Sequence, residues 1–211
     1  MLKKVLDNKL ETADCMIICL PGIGLVGSLT GELFIESASE KNTLLELYPE
    51  SLLYVSVASR DGLMALPKIS VNNITVKDLG SLLIVKGTSQ PTTPINQYEL
   101  AEILVETAEK YGTKIIIGVG GYAIPHVGDK RRVYLSSSDW RASMIGASLG
   151  FLPLKGTVVG AAGLVPGLAG LHGLNSACIL IETRGEGADL TAAKTAHNSI
   201  KDFLKKYLKG A

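Results

Sequence analysis

The sequence predicts an α/β fold: a mostly parallel sheet with an antiparallel hairpin portion, flanked by helices, in a single domain over residues 1–211. Three observations carry this expectation. Short apolar runs of strand length alternate with segments of helical periodicity. One pair of β-favouring runs, Lys68 to Val71 and Ile74 to Val76, is separated by only two asparagines. No fixed-period repeat and no linker divides the 211 residues, and 46% hydrophobic residues supply one large core.

The elements follow in order. Cys15 to Leu20 is a buried strand ended by Pro21-Gly22. Leu25 to Ser39 is a helix, with Leu29, Leu33 and Phe34 at compatible spacing. Leu52 to Val57 is the second strand. Asn72-Asn73 is read as the hairpin turn, because asparagine tolerates positive φ. Ser81 to Val85 is a strand, and Gly87 to Pro94 is a loop broken by two prolines. Asn96 to Tyr111 carries the stripe Leu100, Ala101, Leu104, Val105 and Ala108, with Gly112 as its C-cap. Lys114 to Val119, Thr157 to Val159 and Ala177 to Ile181 are strands. Asp189 caps the closing helix to Leu208, whose stripe is Ile200, Phe203, Leu204 and Tyr207.

Composition narrows the function. A net charge of +1 with 19% charged residues gives no nucleic-acid footprint and no basic membrane face. Lys130-Arg131-Arg132 reads as a solvated loop. Three cysteines without dense spacing point to a reducing, cytoplasmic setting. Cys15 and Cys19 share one face of a strand and are read as core, so no metal site is expected. No signal peptide is expected, because Asp7, Lys9, Glu11 and Asp14 interrupt the N-terminal segment. Gly156 to Ile181 lacks Asp, Glu, Lys and Arg, yet its glycines and Pro166 favour elements buried in protein over a membrane span.

Gly22-x-Gly24-x-x-Gly27 follows a strand and precedes a helix, the form of a dinucleotide fingerprint. The acidic residue expected to end the second strand is missing, because that strand ends in Val57-Ala58-Ser59. The other reading is a tight strand-to-helix turn. The carboxyl ends of the expected strands carry further polar groups, and from these a pocket rim of Gly22, Gly24, Gly27, Arg60, Gly87, Thr88 and Glu182 is the candidate ligand site. His126, His172 and His197 stand apart in sequence, with no nucleophile and orienting partner around them. No catalytic residue and no cofactor are assigned.

Three segments, in order, resemble the proteasome assembly chaperone 2 family. They are Leu20-Pro-Gly-Ile-Gly-Leu-Val-Gly27; Val85-Lys-Gly-Thr-Ser-Gln-Pro91, which runs with Gln97-Tyr98 into Ile117-Gly-Val-Gly-Gly121; and Gly163 to Gly173 with Ala177 to Thr183 and Asp189 to Ala193. The resemblance implies a nucleoside phosphorylase-like fold without established catalytic machinery. It also implies a homo-oligomeric chaperone acting on proteasome α subunits. The family's hydrophobic–Tyr–any-residue tail is not matched by Lys206-Tyr207-Leu208-Lys209-Gly210-Ala211. The competing reading is a phosphorylase- or hydrolase-like enzyme, or a small-ligand binder, using the Gly22–Gly27 loop and Arg60.

Overall fold

A computed structural model describes residues 1–6, 12–52, 57–58 and 62–209, with the backbone alone for 57–58. In chain order these form β1 (Leu2–Val5), β2 (Cys15–Cys19), α1 (Val26–Glu36), β3 (Glu40–Tyr48) and the short ribbon of β4 (Val57–Ala58) and β5 (Met64–Ala65). Then come β6 (Ile69–Val76), β7 (Gly80–Gly87), α2 (Pro94–Lys110), β8 (Ile115–Ala123), β9 (Val133–Ser137) and α3 (Trp140–Ser148). The last elements are β10 (Leu152–Pro153), α4 (Ala161–Leu171), β11 (Ser176–Thr183) and α5 (Leu190–Lys209). Of the sequence-derived strand at Leu52 to Val57, most lies outside the described residues, as do Arg60 and Asp61.

Among the described residues nine strands make one mixed sheet in the order β1-β3-β6-β7-β2-β8-β11-β9-β10. The central strands β7, β2, β8 and β11 are parallel, as expected for strands buried on both faces. The antiparallel part is larger than one hairpin, because β1, β3 and β6 continue the sheet beyond β7 and β9 pairs antiparallel with β11. On one face α1, α3 and α5 pack over Cys15, Ile17, Cys19, Ile117 and Ile179. On the other face α2 and α4 cover Met16, Ile18, Leu83, Val85 and Ile116. The period of two along each strand thus divides a single apolar run between two cores.

Two expectations are corrected. Asn72-Asn73 is not a turn; it sits in the middle of β6, and the hairpin turns instead at Lys77 to Leu79, with Asp78 at φ 68° and Gly80 at φ 79°. Buried Asn72 is held by its amide, which donates to Ser70 Oγ (3.0 Å) and the Ile84 carbonyl (3.2 Å) and accepts from Thr43 Oγ1 (2.9 Å). Ile69 and Val71 face the α2/α4 core, whereas Ile74 and Val76 face the other, and this switch of parity imitates two strands. Thr157 to Val159 is also not a strand. It is a loop between Gly156 (φ 102°) and Gly160 (φ 84°), and Val159 is exposed. The charge-poor stretch after it forms α4, whose 11 residues fall well short of the roughly 20 that span a bilayer. Among the described residues no helix is long and apolar enough to cross a membrane.

Glycines set how close the helices lie. On β8, Ile116, Gly118 and Gly120 face α4, and a methyl at Gly118 would run into the carbonyl of Ala162. Pro166, four residues on, lacks the N–H that this carbonyl would otherwise accept. The sheet and α4 therefore meet backbone to backbone.

Candidate functional site

The first place to look is beyond the carboxyl ends of β2 and β8, where the connections diverge to opposite sides of β2. This crevice is filled by the chain itself. After Gly22 the backbone makes one 3-10 turn, Ile23–Leu25, with Gly24 at φ 63° and Leu25 at φ 51°. A Cβ at Gly121 would strike the Ile23 carbonyl. At Gly27 it would lie 2.5 Å from the Leu20 carbonyl and 2.9 Å from that of Val119. At Gly24 it would lie 2.7 Å from Thr183 Oγ1. Gly24 and Gly27 of the motif, with Gly121 on β8, are thus used for closure of α1 onto the sheet, as a tight turn requires, whereas a Cβ at Gly22 would meet only Gln90 at 3.9 Å.

Of the other rim residues, Gly87 and Glu182 are engaged internally. Gly87 packs against Ile69 and Leu20, and Thr88 is exposed beside it. Glu182, 2% exposed, accepts from the Arg132 backbone N–H (3.1 Å), Arg132 Nε (2.5 Å) and Tyr134 Oη (2.9 Å). Burial raises its pKa, but these donors outweigh that and hold the carboxyl below its usual range. Thr183, its neighbour on β11, points to the opposite face and donates to Asp189 Oδ2 (2.8 Å). Asp189 also caps α5 at the Ala192 N–H (2.9 Å) and pairs with Arg131 (3.2 Å). Nε and Nη1 of Arg131 are buried without hydrogen-bond partners. Arg60 lies outside the described residues. The structure therefore brings Gly24 to Thr183 and Gly22 to Gln90, while Glu182 faces Arg132 and Tyr134.

Gln90, between the end of β7 and the two prolines of its loop, is the hub of this region. Its Nε2 donates to the Pro21 carbonyl (2.5 Å), and its Oε1 accepts from the Ala161 N–H (2.9 Å) that opens α4. It ties the β2 turn to α4. Burial pushes the three cysteine thiols up, Cys178 to about 12, so none is a ready thiolate nucleophile.

An apolar groove of about 750 Å³ opens between the start of α2 and the face of α4. Pro94, Tyr98, Val159, Leu164, Leu168 and Leu171 line it. Its size is that of a binding site, and its lining is mostly apolar. Sequence reasoning missed it, though a signal was present: Ile95 and Tyr98 are apolar but fall off the buried stripe of α2. Trp140 and Met144 stand out on α3 in the same way, at 78% and 55% exposure.

The model of the PAC2 family matches residues 16–209. An uncharacterized protein of Methanocaldococcus jannaschii, MJ1210, is 31% identical over 207 residues, covering 96% of this chain and 77% of that protein. Among solved structures, Pyrococcus furiosus PbaB, described as an archaeal proteasome activator, superposes with a TM-score of 0.86 at 25% identity. That match covers 99% of this chain and 93% of PbaB. P. furiosus PbaA, described as an archaeal homolog of proteasome-assembly chaperone, gives 0.78 at 21% identity, over 96% of this chain and 86% of PbaA. These matches concern a PAC2-type fold and lend no support to the nucleoside phosphorylase comparison.

Proposed function

This chain belongs to the PAC2 family, and from that premise we propose that it is a homo-oligomeric, non-catalytic chaperone of the cytoplasm that acts on proteasome α subunits. The observation that carries the reading is the overlap with PbaB along nearly the whole of both chains. The interior geometry supports a binding protein over an enzyme. The crevice where an α/β sheet would take a ligand is occupied by the Ile23–Leu25 turn, and Glu182 and Asp189 are consumed by internal donors. On this reading residues 1–211 act as one α/β unit whose partners meet its surface.

Tyr207 does not offer a tail-like contact. It is buried, its hydroxyl donates to Asp139 Oδ2 (3.0 Å), and the Arg141 guanidinium lies over its ring at 4.7 Å. Recognition through the exposed helix faces is the alternative that remains consistent with the fold. The test is native mass spectrometry of the purified chain mixed with unassembled proteasome α subunits from its own source. A defined complex is expected. If the chain forms its own oligomer and ignores those subunits, the proteasome assignment falls.

A further inference from the structure

The two most exposed apolar surfaces of the helices lie on opposite sides of the sheet. One is the groove between α2 and α4, lined by Tyr98 (55% exposed), Val159 (89%) and Leu171 (82%). The other is the ridge of Trp140 and Met144, one turn apart on α3, which borders a smaller cleft shared with Phe151 and Leu152. Because the sheet separates them, no copy can bring its ridge to its own groove. The charges divide the same way. Helices α2 and α4 hold four glutamates and one lysine, a net −3. Helices α1, α3 and α5 hold five lysines, Arg141, two glutamates and one aspartate, a net +3. Glu102 follows Tyr98 by one turn on α2, and Arg141 adjoins Trp140.

We propose that the α2/α4 groove is the docking site for the Trp140–Met144 ridge of a second copy of this chain, in a head-to-tail contact. This rests on the homo-oligomer reading above and gives it a surface. A two-fold contact of groove on groove would set one acidic helix pair against another, and ridge on ridge would set basic helices against basic helices. Only the head-to-tail arrangement pairs both the apolar surfaces and the opposite charges. Tryptophan seated in a desolvated pocket is the side chain that most often dominates such a contact.

The test uses two substitutions at exposed positions, Trp140→Glu and Leu171→Glu, with thermal melting to verify that each variant stays folded. Sedimentation equilibrium of the wild-type chain is expected to show self-association that weakens as salt rises. Each variant alone should dissociate about tenfold more readily or worse. An equimolar mixture should recover a one-to-one complex and stop there, because Trp140 of one variant meets the intact groove of the other. Three results overturn the proposal: a wild-type chain that stays monomeric, a Trp140→Glu variant that associates normally, or a mixture that shows no recovery. A fourth is specific to a different occupant. If Leu171→Glu abolishes the α-subunit complex in native mass spectra but leaves self-association intact, the groove belongs to that partner. Conversely, failure to bind α subunits with the recovery intact removes the proteasome reading and leaves this interface standing.

Discussion

Glycine-to-alanine substitution at two positions around α4 should have opposite signs. At Gly118 on β8, the added methyl would lie 2.7 Å from the carbonyl carbon of Ala162 and 3.0 Å from its Cα, with the carbonyl oxygen closer still. Carbon atoms are comfortable at about 3.5–4.0 Å, so α4 must lift by on the order of 1 Å. All three obstructing atoms are backbone, so no rotamer change can relieve the clash. Overpacking typically costs about 1–3 kcal/mol, and a rigid obstacle puts this case near about 3. For a chain of this size that corresponds to a fall in Tm of roughly 6–12 °C. At Gly167, which is exposed on α4, nothing lies within 4 Å of the new methyl. There the gain in helix propensity should stabilise by about 0.5–1 kcal/mol. Differential scanning calorimetry on Gly118→Ala and Gly167→Ala measures both. A Gly118→Ala protein that melts within about 2 °C of wild type would refute the claim that sheet and helix meet backbone to backbone.

Three further outcomes follow from the same packing. Gln90→Ala removes the link between Pro21 and the Ala161 N–H, and should cost about 1–3 kcal/mol in urea unfolding, with faster hydrogen exchange at the start of α4. Glu182→Gln places an amide against donors that a carboxylate had accepted, and should destabilise at neutral pH. Its folded-state pKa is depressed, so wild-type Glu182 contributes stability above its unfolded value that is lost as pH falls through the folded one; the variant should show a shallower acid limb on urea titration below about pH 4.5. His197 packs edge-on against Phe34 with centroids 4.6 Å apart; burial first, then Lys201, lowers its pKa. The unfolded chain then binds the extra proton as pH drops below about 6.5, so stability should fall in that window, and His197→Leu should flatten the decline.

Much of the fold was legible because its central strands are nearly continuous apolar runs, whereas α2 and α5 interleave apolar and charged positions. Cys15 to Leu20, Ser81 to Val85 and Ala177 to Ile181 needed only that contrast, and Asp189 announced α5 by its capping chemistry. Strand β3 was missed because Glu40, Lys41 and Glu46 interrupt it. Glu46 is tolerated inside because Lys68 pairs with it and Tyr48 donates to it at 2.9 Å, a long-range arrangement with no local signature. Strands β9 and β10 and helix α3 escaped for a related reason: each is short and lies at the sheet edge, where one covered face gives too few apolar positions to set a period.

The site was less legible than the fold, and the glycine motif shows why. Spacing alone cannot say what approaches a glycine. In a dinucleotide site the missing Cβ admits a pyrophosphate; here it admits the Leu20 and Val119 carbonyls at Gly27, and Thr183 at Gly24. The same sequence pattern therefore closes the crevice that it would otherwise open. What separates the two cases is the partner across the gap, fixed by β8 and β11 about 95 and 155 residues downstream. The exposed surfaces obey the opposite logic. Ile95, Tyr98, Trp140 and Met144 are conspicuous because they break the helix periodicity that buries their neighbours, so the residues with no place in the core mark where the chain meets something else.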